Sequence, residues 1–201
     1  MIAIIDYDAG NIKSVEKALQ FLGEEAVITR DRDILLVADK VILPGVGAFG
    51  DAMNRLNEYG LVDIIKETVQ KNTPFLGICL GLQLLFESSE EAPGVEGLGL
   101  LKGRIVKFPM DMGLKVPQIG WNKLSHPNKG RLFEGIDEGE FVYFVHSYYL
   151  KAEDEKDVVA TCEYGVKVHA AVEHGNLFAC QFHPEKSSDV GMKILTNFIN
   201  L

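Results

Sequence analysis

The chain has 201 residues, with 29 Asp plus Glu against 20 Lys plus Arg and a net charge of -9; that balance disfavours a nucleic-acid binder, because phosphate neutralisation needs clustered cations. Hydrophobic residues make up 47% and charged residues 24%, the mix of a soluble globular protein, and no apolar stretch approaches the roughly 20 residues that span a bilayer. A chain of this size hides roughly 70% of its unfolded surface without disulfides. The three cysteines, Cys79, Cys162 and Cys180, form no CxxC pair and favour a reducing, cytoplasmic compartment. The opening Met1-Ile2-Ala3-Ile4-Ile5-Asp6 reads as a buried strand rather than a signal peptide.

Residues 1–87 alternate short apolar runs with amphipathic helices. A strand over 3–5 precedes Asn11, which is expected to cap a helix carrying Ile12, Val15, Ala18, Leu19 and Leu22 on one face and ending at Gly23. Strands follow over 26–29 and 40–43. After a glycine-rich loop, one long helix is expected, with Met53, Leu56, Ile64, Ile65 and Val69 on its apolar face. A strand over 75–78 runs directly into a helical stretch over 80–86. This alternation implies a parallel sheet covered on both faces.

Beyond a Gly- and Glu-rich segment, 87–103, strand-like runs follow with only turns between them: 104–108, 119–124, 141–149, 158–163, 168–173 and 178–182. Glu173-His174-Gly175-Asn176 reads as a hairpin turn. A last helix over 190–201 offers Met192, Leu195, Phe198 and Ile199 to a core. With no repeat and no linker, residues 1–201 read as one domain with a βα half and a β-rich half.

Gly77-Ile78-Cys79-Leu80-Gly81 places G-x-C-x-G between a buried strand and a helix. It is the thiol counterpart of a nucleophile elbow, where flanking glycines leave room for a strained turn. Most free cysteines are small buried hydrophobes, and Cys162 and Cys180 are read that way. For Cys79 the two glycines favour a nucleophile. The N-terminus of the following helix favours its thiolate, and the Leu80 N–H is one expected oxyanion donor.

A thiolate nucleophile needs a base and a group that orients the base. Of the five histidines, His126, His146, His169, His174 and His183, His183 stands out in Gln181-Phe182-His183-Pro184-Glu185 at a strand end. In an extended segment residues two apart project to one side, so Glu185 is expected beside His183, in the role of the triad acid. His146 is the rival base.

Gly45-Val46-Gly47-Ala48-Phe49-Gly50 matches G-x-G-x-x-G. It lies off the first βα turn and lacks the Lys-Ser or Lys-Thr of a P-loop, which argues against a nucleotide site. Exposed N–H groups there suit a second oxyanion donor instead.

Together with Gln83, these motifs resemble the class I glutamine amidotransferases. Pro44 to Gly50, Pro117 to Asn122, Tyr143 to Tyr148 and Gln181 to Ser188 further resemble, in order and along essentially the whole chain, the glutaminase subunits of imidazole glycerol phosphate synthases. The resemblance implies a flavodoxin-like three-layer α/β fold with a mixed, mostly parallel central sheet and a β-rich C-terminal half. It implies hydrolysis of glutamine to glutamate and ammonia by Cys79, His183 and Glu185, through a thioester, with neither cofactor nor metal. Val46, Gly47 and Leu80 would form the oxyanion hole, and Gly47, Gln83, Glu91, Ser147 and Tyr148 would hold glutamine.

The family's second subunit is a TIM-barrel cyclase, which takes the ammonia to make imidazole glycerol phosphate and an aminoimidazole carboxamide ribonucleotide in histidine biosynthesis. Asn11, Lys13, Trp121, Asn122 and Lys186 match positions that face it, although Trp121 also suits a core. The family pattern further implies little activity before the cyclase binds, hence an oxyanion hole not yet formed at 45–47. A subunit serving another acceptor and a catalytically silent binding subunit are the competing readings.

Overall fold

Every residue from Met1 to Leu201 is described in the computed structural model of the chain. The first half contains strands β1 (Ile2–Ile5), β2 (Ala26–Thr29), β3 (Lys40–Leu43) and β4 (Phe75–Ile78). Helices α1 (Ile12–Phe21), α2 (Arg32–Val37), α3 (Phe49–Glu58), α4 (Leu61–Gln70) and α5 (Leu80–Leu84) lie between and after them. The second half adds β5 (Ser88–Ser89), β6 (Gly103–Lys107), β7 (Gln118–Lys123), β8 (Phe141–His146), β9 (Tyr148–Ala152), β10 (Val158–Glu163), β11 (Lys167–His174) and β12 (Leu177–Cys180), and closes with α6 (Ser188–Ile199).

Seven strands form the central sheet in the order β10-β11-β12-β4-β3-β1-β2. Strands β2, β1, β3, β4 and β12 are mutually parallel, the flavodoxin-like order in which sites gather at strand carboxyl ends. The hairpins β10-β11-β12 extend it antiparallel, so the late strands complete the central sheet. Small sheets β5-β6-β9 and β7-β8 stand beside it.

Because neighbouring strand residues point to opposite faces, β1 splits its side chains between two cores. Ile2 and Ile4 pack with Ile12, Val15 and Leu19 of α1 and with Ile194, Leu195 and Phe198 of α6. Ala3 and Ile5 pack with residues of α2, α3, α4 and α5, among them Leu35, Phe49, Ile65 and Leu82. The result is the three-layer arrangement expected from the alternating pattern.

Four expectations change. The long helix is two, because Gly60 adopts φ 66 at the start of α4, a left-handed turn that no α-helix continues through. The run 141–149 is also two strands: β8 pairs with β7 and β9 with β6, and the chain changes sheet at Ser147. Helix α2 has no counterpart in the sequence reading; Asp31 caps it by accepting from the Asp33 and Ile34 N–H groups, a signal obscured by neighbouring charges. Asn11 precedes α1 at φ 73 and makes no side-chain cap, because its amide is engaged elsewhere.

Candidate active site

β4 ends at Ile78 and α5 begins at Leu80, leaving Cys79 alone in the turn at φ 56 and ψ -108. A Cβ on Gly77 would lie 2.8 Å from the Gly81 carbonyl oxygen, and one on Gly81 would run into the Leu43 carbonyl of β3. Strain of this kind costs about 1–3 kcal/mol. Fully burying each of Leu80, Leu82 and Leu84, as this turn does, contributes about 1.5–3 kcal/mol, so packing outweighs the strain and holds the elbow. The Cys79 N–H is anchored to the Cys180 carbonyl of β12 at 2.8 Å.

The same strand β12 delivers His183. Its N–H donates to the Tyr143 carbonyl of β8 at 2.9 Å, and its carbonyl accepts from the Ser187 hydroxyl at 2.6 Å. Glu185 Oε1 lies 2.7 Å from His183 Nδ1, with both side chains wholly buried. The pairing arises differently from expectation: Pro184–Lys186 form a tight 3-10 turn, and Pro184 suits its first position. Asn11 Nδ2 donates to the same Glu185 oxygen at 2.6 Å.

His183 Nε2 is buried without a hydrogen bond, and the Cys79 thiol stands beside it. Burial would lower the His183 pKa, but Cys79 and Glu185 outweigh it and raise it to about 9. An imidazole whose protonated form is favoured by its neighbours is a good acceptor for the proton of the thiol beside it.

His146 does not serve as a base. Burial drives its pKa down to about 4, against the opposing Tyr148 carbonyl bond, and its ring nitrogens lie 2.8 Å from that carbonyl and 3.0 Å from the Gln118 amide. Burial also raises the other two thiols, Cys162 to about 12 and Cys180 well above its usual value, in keeping with packing roles.

Cys79 opens into a cavity of about 300 Å³ lined also by Val46, Gly47, Leu80, Gln83, Glu91, Ser147 and Tyr148. All of the expected glutamine-contacting residues therefore share one cavity, which Pro117, Val145 and His146 complete. Glu91 is more than a solvated acid: its Oε2 accepts the Phe49 N–H at 2.8 Å and so caps α3. The Leu80 N–H donates to the Gly45 carbonyl at 3.2 Å, so it is not free for an oxyanion. Beneath this loop, the buried Tyr7 hydroxyl donates to the Pro44 carbonyl at 2.8 Å.

Of the residues expected to face a partner, Asn11 reaches into the triad. Trp121 is 52% exposed, which removes it from the core, and it meets Tyr143 edge-on at 6.0 Å. Lys13 is exposed and pairs with Glu16 at 2.9 Å. Asn122 donates to the Glu163 carbonyl at 2.9 Å, while Lys186 is exposed. Sequence reasoning missed the contacts of Tyr7 and Gln181, since neither sits in a spacing pattern that predicts its partner.

A strained cysteine elbow at the carboxyl end of β4 in a flavodoxin-like sheet, facing a His–Glu pair, defines a class. The sequence profile of the class I glutamine amidotransferases matches residues 3–201, and the chain belongs to that family. Solved structures agree in fold: a glutamine amidotransferase superposes with a TM-score of 0.78 at 21% identity, covering 100% of this chain and 98% of its own. A chain of the PurLQS structure from Thermotoga maritima gives 0.78 at 22% identity, covering 99% of this chain and 97% of its own.

Among curated relatives, the imidazole glycerol phosphate synthase subunit HisH of Syntrophotalea carbinolica is 50% identical over 98% of both chains. Those of Bacillus cereus and Aquifex aeolicus are 52% and 50% identical, covering 98% and 97% of this chain and 93% and 94% of their own. Within the class, this chain is a member of the HisH family of glutamine amidotransferase subunits. No helix is long and apolar enough to cross a membrane.

Proposed function

We propose that the chain is a single-domain, cytoplasmic glutaminase that hydrolyses glutamine and passes the ammonia to a TIM-barrel cyclase subunit in histidine biosynthesis. The observation that carries this reading is that Cys79, which lines the cavity, meets the buried His183–Glu185 pair across 104 residues of sequence, counting from Cys79 to His183.

Cys79 Sγ gives its proton to His183 Nε2, the imidazole nitrogen left without a partner, and attacks the carboxamide carbon of glutamine. The tetrahedral intermediate collapses as His183 returns that proton to the departing ammonia, leaving a thioester on Cys79. Water, deprotonated by His183, then adds to the thioester carbon, and glutamate leaves as the sulfur takes back the proton. Glu185 holds the imidazole tautomer and balances its charge. Gln83, Glu91, Ser147 and Tyr148 contact the amino and carboxylate groups of the substrate.

Leu80 and the Val46-Gly47 peptide bind the oxyanion. For Leu80 to do so, the Gly45 carbonyl that now accepts its N–H must move, which gives partner docking a specific task in activation. Asn11, Lys13, Trp121, Asn122 and Lys186 form the docking face.

The test is glutamate release and imidazole glycerol phosphate formation with the cyclase subunit present, for the parent chain and for Cys79→Ala and Cys79→Ser. Both variants are expected to be inactive, and full turnover by the alanine variant overturns the assignment. Alkylation of Cys79 by a diazo-ketone analogue of glutamine separates an enzyme from a silent binding subunit, which would stay unlabelled. Recovery of a different synthase partner would favour another acceptor.

A further inference from the structure

The Tyr148 carbonyl oxygen receives two contacts inside the protein, from His146 Nδ1 at 2.8 Å and from Gln83 Nε2 at 3.1 Å. A carbonyl only accepts, so the groups facing it are fixed as donors. The second hydrogen of the Gln83 amide goes to Gln181 Oε1 at 2.9 Å. With its oxygen committed, the Gln181 side chain must turn its NH₂ group toward Cys79 Sγ, 3.7 Å away. Rotating the Gln181 amide would set two NH₂ groups against each other and leave an oxygen facing the sulfur. The backbone carbonyl thus fixes the orientation of both amides.

Gln181 is fully buried, and its side chain has no hydrogen bonds besides these two. A buried donor spent on a neutral thiol gains little, whereas a donor to an anionic sulfur forms a charge-assisted bond roughly twice as strong. Besides His183, which takes the proton, the remaining groups around the sulfur are poor anion partners: the Val145 carbonyl at 4.0 Å presents a lone pair, and the Leu80 N–H is already donated to Gly45.

We propose that Gln181 is a further catalytic residue, whose side-chain amide donates to the Cys79 sulfur, stabilises the thiolate formed when its proton moves to His183 Nε2, and fixes its line of attack. No proton passes through Gln181. The bond is strongest while sulfur is anionic and weakens in the thioester, so it also favours departure of sulfur as thiolate in the hydrolysis step. This inference rests on Cys79 being the nucleophile.

Two variants of similar size test it. Gln181→Met removes both the donor and the acceptor for Gln83; Gln181→Glu keeps an acceptor for Gln83 but places an ionisable oxygen at the sulfur. If Gln181 merely anchored Gln83, the Glu variant would be the better enzyme. The proposal orders them the other way: iodoacetamide alkylation of Cys79 at neutral pH should fall about ten-fold in Gln181→Met and further in Gln181→Glu.

In complex with the cyclase subunit, kcat for glutamine hydrolysis should fall in the same order while KM changes less than about two-fold. Parent-like alkylation in either folded variant overturns the proposal, as does a Glu variant more reactive than the Met variant. If only one variant folds, its alkylation rate alone decides. Failure of the parent chain to react at all would instead refute the glutaminase reading.

Discussion

Asn11 Nδ2 donates to Glu185 Oε1 at 2.6 Å, joining the loop after β1 to the turn after β12 across 174 positions of sequence. The left-handed Asn11 backbone, φ 73, is what turns its amide away from α1 and toward the triad. The other Glu185 oxygen, Oε2, is buried without a partner, so Asn11 and His183 carry the hydrogen bonding of this carboxylate between them. Losing a donor to a buried charged group costs about 1.5–3 kcal/mol. Asn11→Ala should therefore lower kcat about ten-fold or more in the cyclase complex with KM for glutamine nearly unchanged, and Asn11→Asp, which adds a second anion, should lower it further. Steady-state kinetics check both; parent-like kcat in the alanine variant would separate Asn11 from the triad.

The two buried histidines set opposite limbs of a stability profile. The folded pKa of His183, about 9, lies above the unfolded value of about 6.5. Its contribution is thus fully present below about pH 6.5 and lost as pH rises through about 9. His146, at about 4, lies below the unfolded value, so its contribution is present above about pH 6.5 and lost as pH falls through about 4. Urea unfolding of the parent chain and of His183→Gln should show a stability difference that shrinks between about pH 6.5 and 9. His146→Asn should flatten the acid limb. A difference that stays constant with pH in both variants contradicts this assignment of charge states.

Strain at the elbow is separable from chemistry. Cys79→Gly relieves a positive φ that costs a side chain about 1 kcal/mol or more, and should raise thermal stability while abolishing turnover. Gly81→Ala should do the reverse to stability, because its Cβ would enter the Leu43 carbonyl of the neighbouring strand; a loss of more than about 2 kcal/mol is expected, as for other overpacked core sites. Calorimetry of the two variants decides, and a stable Gly81→Ala chain would mean that α5 and β3 can move apart.

The readable parts of the sequence were those in which local pattern and tertiary role agree. The alternation in β1, the apolar stripe of α1 and the glycines around Cys79 each depend on neighbours within a few residues, and all three stand in the structure. Gly60 lies inside a continuous apolar period, and only its backbone angle breaks the helix. Ser147 sits inside a continuous strand-like run, 141–149, yet the strands on either side belong to different sheets, because their partners, β6 and β7, lie far away in sequence. For the site, His183 and Glu185 are local enough to read together. The contacts Asn11–Glu185, Tyr7–Pro44 and Gln181–Cys79 span 174, 37 and 102 positions, and no spacing rule links residues brought together only by sheet order.

The β7-β8 hairpin leaves Ile119 62%, Trp121 52% and Phe141 53% exposed, three large apolar side chains on one two-stranded ribbon. Trp121 packs edge-on against Tyr143, whose carbonyl holds the His183 N–H, so the indole stands two contacts from the triad. A half-exposed tryptophan adds little to folding but is well suited to anchor an interface, where removing such a residue typically costs about 2 kcal/mol or more. Trp121→Ala should leave the melting temperature of the free chain within about 2 °C and weaken cyclase binding at least about ten-fold. Because Trp121 is the chain's one tryptophan, its emission should shift to shorter wavelength as a tryptophan-free cyclase variant is titrated in. Unchanged affinity in the alanine variant, or an emission spectrum that does not respond to the partner, would move the docking surface away from this hairpin.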